Sequence, residues 1–424
     1  MGGNQASAWH AGSTMAPVTI APRRREVLVV ATFVPLSIVI QILLQPACCT
    51  GPDVDAYLRL AEEQLADPRY LLNPQAFDGN FWAFPYPLFL AGLLHITGGS
   101  LSAVIPAHML LASLLAPGTW LLAFRLGTRI RVASSAVVAV SPPTVWMGTH
   151  LGYEVLLALA LTTSVALAWS VPRAPARWGS WSTVWITVLS GLFLGAAILI
   201  QTKSAALLPV LVFLYWKRGG RALAAGIIGV LLAILPWSIR NLVVLGNPYP
   251  FSGNGPYNLW VGNNPEAVTG GFMVVAPPIP AGTSSQTQAA VDFILSQPES
   301  AATLVFRKAA RLWEPLFLYP DLMSAGTSRH LLHLVVTLFS AFIIIGFFGF
   351  VAARFVTRSP DLPEVTPLAV LVLLFISTHL LFIAEPRFLA PVVPFTVTIS
   401  VATIGYAIRR HRAITSHAMT DEIP

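Results

Sequence analysis

Asp53 and Asp55 sit two residues apart in Gly51-Pro52-Asp53-Val54-Asp55-Ala56-Tyr57, just beyond the first long apolar run of the chain. A carboxylate beside a bilayer loses hydration unless it finds a cation, a donor or water, so an acidic pair there is a candidate for chemistry. The same residues also suit the solvated start of a helix carrying Tyr57, Leu60 and Ala61, and both readings stay open at this point. Four more charges stand at the ends of later apolar runs: Glu154 after His150-Leu151-Gly152-Tyr153, Lys203 in Gln201-Thr202-Lys203-Ser204, Arg240 closing Pro236-Trp237-Ser238-Ile239-Arg240, and Arg387 after Glu385-Pro386. Each taken alone fits a helix-end residue reaching for headgroups. Taken together, carboxylates suit proton abstraction and cation binding, while Lys and Arg suit a phosphate. Asp53, Asp55 and Glu154 are therefore the catalytic candidates, and Lys203, Arg240 and Arg387 the candidates for the phosphate of an anionic, lipid-linked substrate. Asp53 and Asp55, with Glu154 near, are also compatible with a divalent cation, Mg²⁺ or Mn²⁺, which the sequence leaves open. No Cys/His metal spacing is present.

The elements that must position these residues follow from composition. The chain has 424 residues, of which 55% are hydrophobic and only 10% charged, with a mean hydropathy of +0.70; soluble domains carry about 25% charged residues. That predicts an all-α polytopic membrane protein. The net charge of +7 does not signal nucleic acid, because the basic residues form short clusters between apolar runs and not one stripe. Crossing hydrocarbon takes about 20 apolar residues, and about ten spans are expected: Val27–Gln45, Leu101–Phe124, Val132–Met147, Tyr153–Val171, Trp181–Ile200, Ser204–Trp216, Ala222–Ile239, Leu331–Ala353, Thr366–Ala384 and Phe388–Ile408. A cytoplasmic N-terminus puts Arg23/Arg24/Arg25, Arg125/Arg129/Arg131, Arg173/Arg177, Lys217/Arg218/Arg221, Arg354/Arg358 and Arg409/Arg410/Arg412 inside, sixteen of the 25 basic residues. Both termini are then cytoplasmic.

Residues 1–26 are expected to form a disordered cytoplasmic N-terminus, 27–408 the membrane domain and 409–424 a cytoplasmic tail. The apolar run after the first arginines is long enough to span and lacks a small-residue cleavage site, so it does not read as a signal peptide. Cys48 and Cys49 are adjacent, a spacing that bridges only with strain, and are given no role. Two outer segments are long enough to fold: 47–99, with an aromatic, proline-started interfacial helix at Phe84-Pro85-Tyr86-Pro87-Leu88, and 240–330, with an amphipathic helix from about Gln286 to Trp313.

With these motifs in order, the chain resembles the polytopic glycosyltransferases of C-type fold, in the group of protein O-mannosyltransferases and the lipid A aminoarabinose transferase (glycosyltransferase family 39 and bacterial relatives). The family's first outer loop carries Asp followed at four and eight residues by Tyr and Ala, as in Asp53, Tyr57 and Ala61; where the next residue is often Glu, this chain has Val54. Further similarities are the proline-aromatic helix with Tyr86, the acid Glu154, the Thr202-Lys203 cation, Pro236–Asn241, the run Tyr257-Asn258-Leu259-Trp260-Val261-Gly262-Asn263-Asn264-Pro265, and Arg387-Phe388…Pro391…Pro394. The resemblance covers about Val27 to Ile408.

It implies a C-type architecture in the cytoplasmic (inner) membrane with the active site on the extracytoplasmic face. It also implies inverting transfer of a hexosyl or pentosyl group from a polyprenyl-phosphate donor to a hydroxyl of a glycan, lipid or protein, among membrane lipids. Asp53 would be the base. Lys203, Arg240 and Arg387 would steady the leaving phosphate. Tyr57, Tyr86, Tyr257, Asn258, Trp260, Asn263 and Asn264 would line the substrate groove, under a lid from the second outer loop. The competing class is a lipid-linked sugar transporter or flippase without covalent chemistry, which the same spans and cations would also serve.

Overall fold

The computed structural model describes residues 24–44, 52–170, 181–270, 277–314, 328–356 and 362–421, and among them it is helical with no strand. Residues 1–23, Cys48, Cys49, Arg173, Arg177, Asp321 and Arg358 lie outside the described residues. The helices run in order as α1 (Arg24–Leu43), then α2 (Pro52–Ala66), α3 (Ala76–Asn80) and α4 (Pro85–Ile96) on the first connecting segment. Next come α5 (Leu101–Ser113), α6 (Leu115–Leu122), α7 (Thr128–Val140), α8 (Pro142–Thr149), α9 (Glu154–Ser170), α10 (Trp181–Ile200), α11 (Leu208–Trp216) and α12 (Gly220–Leu245). The second connecting segment holds α13 (Gly255–Gly262), α14 (Pro265–Gly270), α15 (Gln286–Ser296) and α16 (Pro298–Leu312), and the chain closes with α17 (Ser328–Val351), α18 (Thr366–Leu381) and α19 (Val393–Asp421).

Among the described residues, six helical stretches are long and apolar enough to cross a membrane: Arg24–Leu43, Leu101–Leu122, Thr183–Ile200, Gly220–Leu245, Leu331–Val356 and Pro386–Arg412. The protein is a helical integral membrane protein. The remaining expected spans fall on shorter or broken helices. Ser141-Pro142-Pro143 splits Val132–Met147 between α7 and α8, because proline supplies no amide to continue the ladder. The other three fall on α9, α18 and the Thr202–Trp216 stretch that ends in α11.

The helix of the first span includes Arg24, Arg25 and Glu26, and a buried polar knot holds that end. Trp120 Nε1 donates to Glu26 Oε1 at 2.7 Å, and Arg131, fully buried over the Trp120 ring at 4.1 Å, pairs with Glu26 at 3.3 Å. Arg131 is thus an interior ion-pair partner instead of a solvated topology signal. At the other end α19 carries Arg409, Arg410 and Arg412 on the helix itself, which continues to Asp421.

Helices α10 and α12 pack through glycines. A Cβ on Gly229 would lie 2.0 Å from the Val188 carbonyl oxygen, and one on Gly191 would lie 2.1 Å from that of Gly226, so only glycine admits this backbone approach. The pair carries the Gln201–Lys203 turn at the end of α10.

On the first connecting segment, the 3.6-residue period of α2 puts Val54, Tyr57 and Ala61 into a core with Tyr86, Leu90 and Leu94 of α4. After it, Phe77, Asp78, Gly79 and Asn80 all have positive φ, between 54° and 69°, so the turn assigned to α3 is left-handed. Each non-glycine residue there costs about 1–2 kcal/mol. Surrounding contacts hold the turn. Arg59 bonds Asp78 at 2.7 Å, the Phe77 amide donates to Tyr70 Oη at 2.9 Å, and the Phe77 ring packs edge-on against Trp237. Asn80 then ties the two connecting segments together: its Nδ2 donates to the Phe251 carbonyl and its carbonyl accepts from the Gly253 amide at 2.7 Å. The second segment has its own small core of Trp260, Ala267, Ala289, Ala290, Phe293 and Leu304.

Candidate functional site

Arg387 is the centre of the site. It sits in the 3₁₀ turn Pro386–Val392 that leads into α19. Its Nη2 meets Asp53 Oδ2 at 2.7 Å, its Nη1 lies 3.9 Å from Glu154 Oε1, and its Nε donates to Glu385 Oε2. Asp53 arrives on the first turn of α2, where a helix N-terminus favours an anion. Glu154 arrives as the first residue of α9 and is buried. Gly152 makes room for it, since a Cβ there would lie 2.3 Å from Glu154 Oε2. Three carboxylates therefore surround one guanidinium, which is a net negative cluster with one of its acids, Asp53, partly open to solvent.

A cavity of about 670 Å³ adjoins this cluster. Tyr57, Trp82, Tyr86 and Tyr153 form its aromatic wall, Lys203 with Phe382 and Phe388 forms another, and Ser252–Pro256 with Asn258 covers it from the second connecting segment. Tyr57 belongs to both features. Burial, and then the nearby charge of Asp53, pushes its phenol well above the usual tyrosine range, so it stands in the wall as a neutral phenol. The Lys203 ammonium lies 5.2 Å from the Phe382 ring centre and 5.1 Å from that of Phe388, within cation–π range. It has no hydrogen bond or ion pair among the described residues, and Arg387 lies 5.3 Å from the same Phe388 ring. A partly buried lysine with no carboxylate partner among the described residues, on the wall of an aromatic cavity, is a place for an anion, whose charge would hold the ammonium protonated. Asp53, near the Tyr57 edge of the cavity, is a carboxylate that can take a proton.

The structure thus brings Asp53, Glu154, Arg387, Lys203, Tyr57, Tyr86 and Asn258 together, and it places the other expected residues elsewhere. Asp55 is exposed on the far face of α2, because residues i and i+2 on a helix point away from each other. Asp53 and Asp55 therefore do not face one site together. Asp53, Glu154 and Glu385 are gathered about Arg387 instead, and among the described residues no group of three or more His, Cys, Asp or Glu is arranged to hold a metal ion.

Arg240 is also outside the cavity. It donates to the Leu71 carbonyl at 2.7 Å, the Asn73 carbonyl at 2.8 Å and Asn241 Oδ1 at 2.9 Å, and it stacks on Trp237. It fastens the first connecting segment to α12. Arg387 is spent on carboxylates, which leaves Lys203 as the cation facing the cavity.

The expected groove residues divide in the same way. Tyr257 meets Phe81 edge-on, and Trp260 is buried with Nε1 donating to the Pro277 carbonyl at 2.7 Å. Asn264 accepts from the Ala267 amide at the start of α14, and Asn263 donates to the Leu381 carbonyl. These four build the second segment. They do not line the cavity.

Sequence reasoning did not single out Glu385, Tyr153, Trp82 or Asn80. Glu385 stood beside Arg387 in the sequence and was the one with a readable signal. His108, buried in mid-helix with Nε2 3.2 Å from Tyr86 Oη, positions a cavity wall and was visible only as a polar residue inside an apolar run. Compared with known proteins, the chain matches no family model and no curated protein sequence.

Proposed function

We propose that the protein is an inverting glycosyltransferase of C-type architecture that moves a sugar from a polyprenyl-phosphate donor to an acceptor hydroxyl at the extracytoplasmic face of the cytoplasmic membrane. In this reading the six long helices and four shorter ones make about ten spans, with both connecting segments on the outer side. The observation that carries it is the pairing of Arg387 with Asp53 and Glu154 at the edge of an aromatic cavity that is also lined by Lys203, which has no ion pair among the described residues.

The chemistry follows from those positions. The donor phosphate sits against Lys203 and the sugar against the tyrosines and Trp82, aromatic faces suited to its C–H surface. The acceptor oxygen attacks the anomeric carbon from the side away from the phosphate while Asp53 takes its proton. The carbon–oxygen bond to phosphate breaks and its electron pair stays on the leaving polyprenyl phosphate, where the Lys203 charge is worth most in a dry site. Configuration inverts because attack and departure are on opposite faces. Arg387 holds Asp53 and Glu154 in place, and the strap through Asn80, Phe251 and Gly253 keeps the cavity covered against water.

The test is transfer of labelled sugar from polyprenyl-phosphate sugars to a membrane extract by the purified protein. Asp53→Asn keeps the size and most contacts of the side chain but removes the base, and should lower transfer by about 10²–10⁴-fold with donor binding retained. Wild-type transfer by Asp53→Asn would remove Asp53 as the base. A protein that relocates the lipid and never transfers its sugar would be a flippase.

A further inference from the structure

Lys308 lies on α16, in the unit built from the second connecting segment, but its side chain reaches out of that unit and is buried. Its Nζ donates to Asn263 Oδ1 at 3.1 Å and to the Leu380 carbonyl at 3.1 Å, and Asn263 Nδ2 donates in turn to the Leu381 carbonyl at 2.7 Å. Leu380 and Leu381 end α18, and the last carbonyls of a helix have no partner within it. The chain then turns into Phe382 at φ −104°, ψ −131°, so no left-handed glycine closes this end. An ammonium is the charge that a helix C-terminus favours, and Lys308 pairs with no carboxylate among the described residues. Its buried charge is instead compensated by the helix end and the Asn263 oxygen.

The capped end is also a wall of the cavity. Thr378, Phe382 and Ile383 line it from α18 and the residues just after, and Asn258 lines it from α13, the helix that Asn263 terminates. Gly262 closes the same joint, since a Cβ there would lie 2.1 Å from the Phe382 carbonyl oxygen. We infer that Lys308 is a positioning residue that caps α18 from the unit of the second connecting segment and so fixes the Thr378–Phe382–Asn258 side of the cavity. It touches no substrate. What the cavity binds rests on the proposed function; the clamp itself rests on geometry alone.

Two readouts on the full-length protein in detergent separate these. With Cys48 and Cys49 replaced by serine, spin labels at Thr287→Cys on α15 and Ser377→Cys on α18, both exposed positions, should give one narrow distance distribution. Lys308→Met keeps the apolar stem and removes every donor, and should broaden that distribution and weaken binding of a short-chain polyprenyl phosphate at least tenfold. Lys308→Arg, which keeps charge and donors, should restore both to within about threefold, a rescue that simple packing would not give. A Lys308→Met protein with the parent distance distribution overturns the clamp, and a changed distribution with unchanged lipid affinity overturns its link to the cavity. If Lys308→Met does not accumulate, Lys308→Gln decides by the same measurements, with intermediate effects expected and parent values overturning. Should the parent protein bind no polyprenyl phosphate, the proposed function fails while the distances still decide the clamp.

Discussion

Replacing Arg387 with glutamine separates two roles for this cation, as a phosphate ligand or as the holder of the acidic cluster. Its guanidinium faces Asp53 at 2.7 Å, Glu154 at 3.9 Å and the adjacent Glu385. The Asp53 contact is partly open, with side chains 36% and 20% exposed, so despite the short distance its worth is near 1 kcal/mol. Glu154 is different, with a side chain only 2% exposed. At this separation two charges interact by about 4 kcal/mol at an effective dielectric constant of 20, and stripping the partner from a buried charge costs about 3–5 kcal/mol. Measured at alkaline pH, where a buried carboxyl stays ionised, Arg387→Gln should therefore destabilise the protein by about 3–5 kcal/mol, with Glu154 as the main source and Glu385, its side chain 15% exposed, adding to it.

The signature lies in the double variants, measured by denaturant unfolding of the purified protein. Adding Glu154→Gln to Arg387→Gln should recover most of the loss because the stranded charge is gone, whereas adding Asp53→Asn should recover only about 1 kcal/mol. An Arg387→Gln protein with parent stability and weakened polyprenyl-phosphate binding would refute the reasoning and return Arg387 to the phosphate.

Arg240→Ala should lower stability by about 1–3 kcal/mol through its lost hydrogen bonds to Leu71, Asn73 and Asn241 and leave polyprenyl-phosphate affinity unchanged; the opposite pattern would put Arg240 in the site. Gly229→Ala, with its Cβ 2.0 Å from the Val188 carbonyl, should force α10 and α12 apart and cut the yield of monodisperse protein, and a normal yield with parent stability would show that the approach is not needed. Burial holds the Lys308 ammonium down at about 8 from its ordinary 10.5, so between those values the unfolded chain binds more protons and stability rises with pH. The unfolding midpoint of the parent should accordingly gain on that of Lys308→Met as pH is raised from 8 toward 10, and a gap independent of pH would count against the buried charge.

Charges at the ends of apolar runs singled out Asp53, Glu154, Lys203 and Arg387, which the structure gathers at and around one cavity, because helices that end at a common level deliver their terminal polar side chains there. The same signal misplaced Arg240. Its partners are backbone carbonyls of Leu71 and Asn73, and no residue pattern announces a carbonyl. The Asn263-Asn264-Pro265 run reads as groove by resemblance, yet Asn followed by Pro is also how a helix begins, and Asn264 accepts from the Ala267 amide as such a residue does. Lys308 was illegible for a related reason: on an amphipathic helix a lysine facing solvent and a lysine facing a neighbour's C-terminus have one and the same spacing.

Asp53 and Asp55 show how much a local rule decides once the element is granted. If Pro52 opens a helix whose buried face holds Tyr57 and Ala61, positions four and eight residues back from them share that face, and Asp53 is the acid found there. Asp55 is rotated by about 200° from it at 3.6 residues per turn, onto the exposed side. The helix that could have made the acidic pair a bland capping feature is what aims one member of it at Arg387 and removes the other from the site.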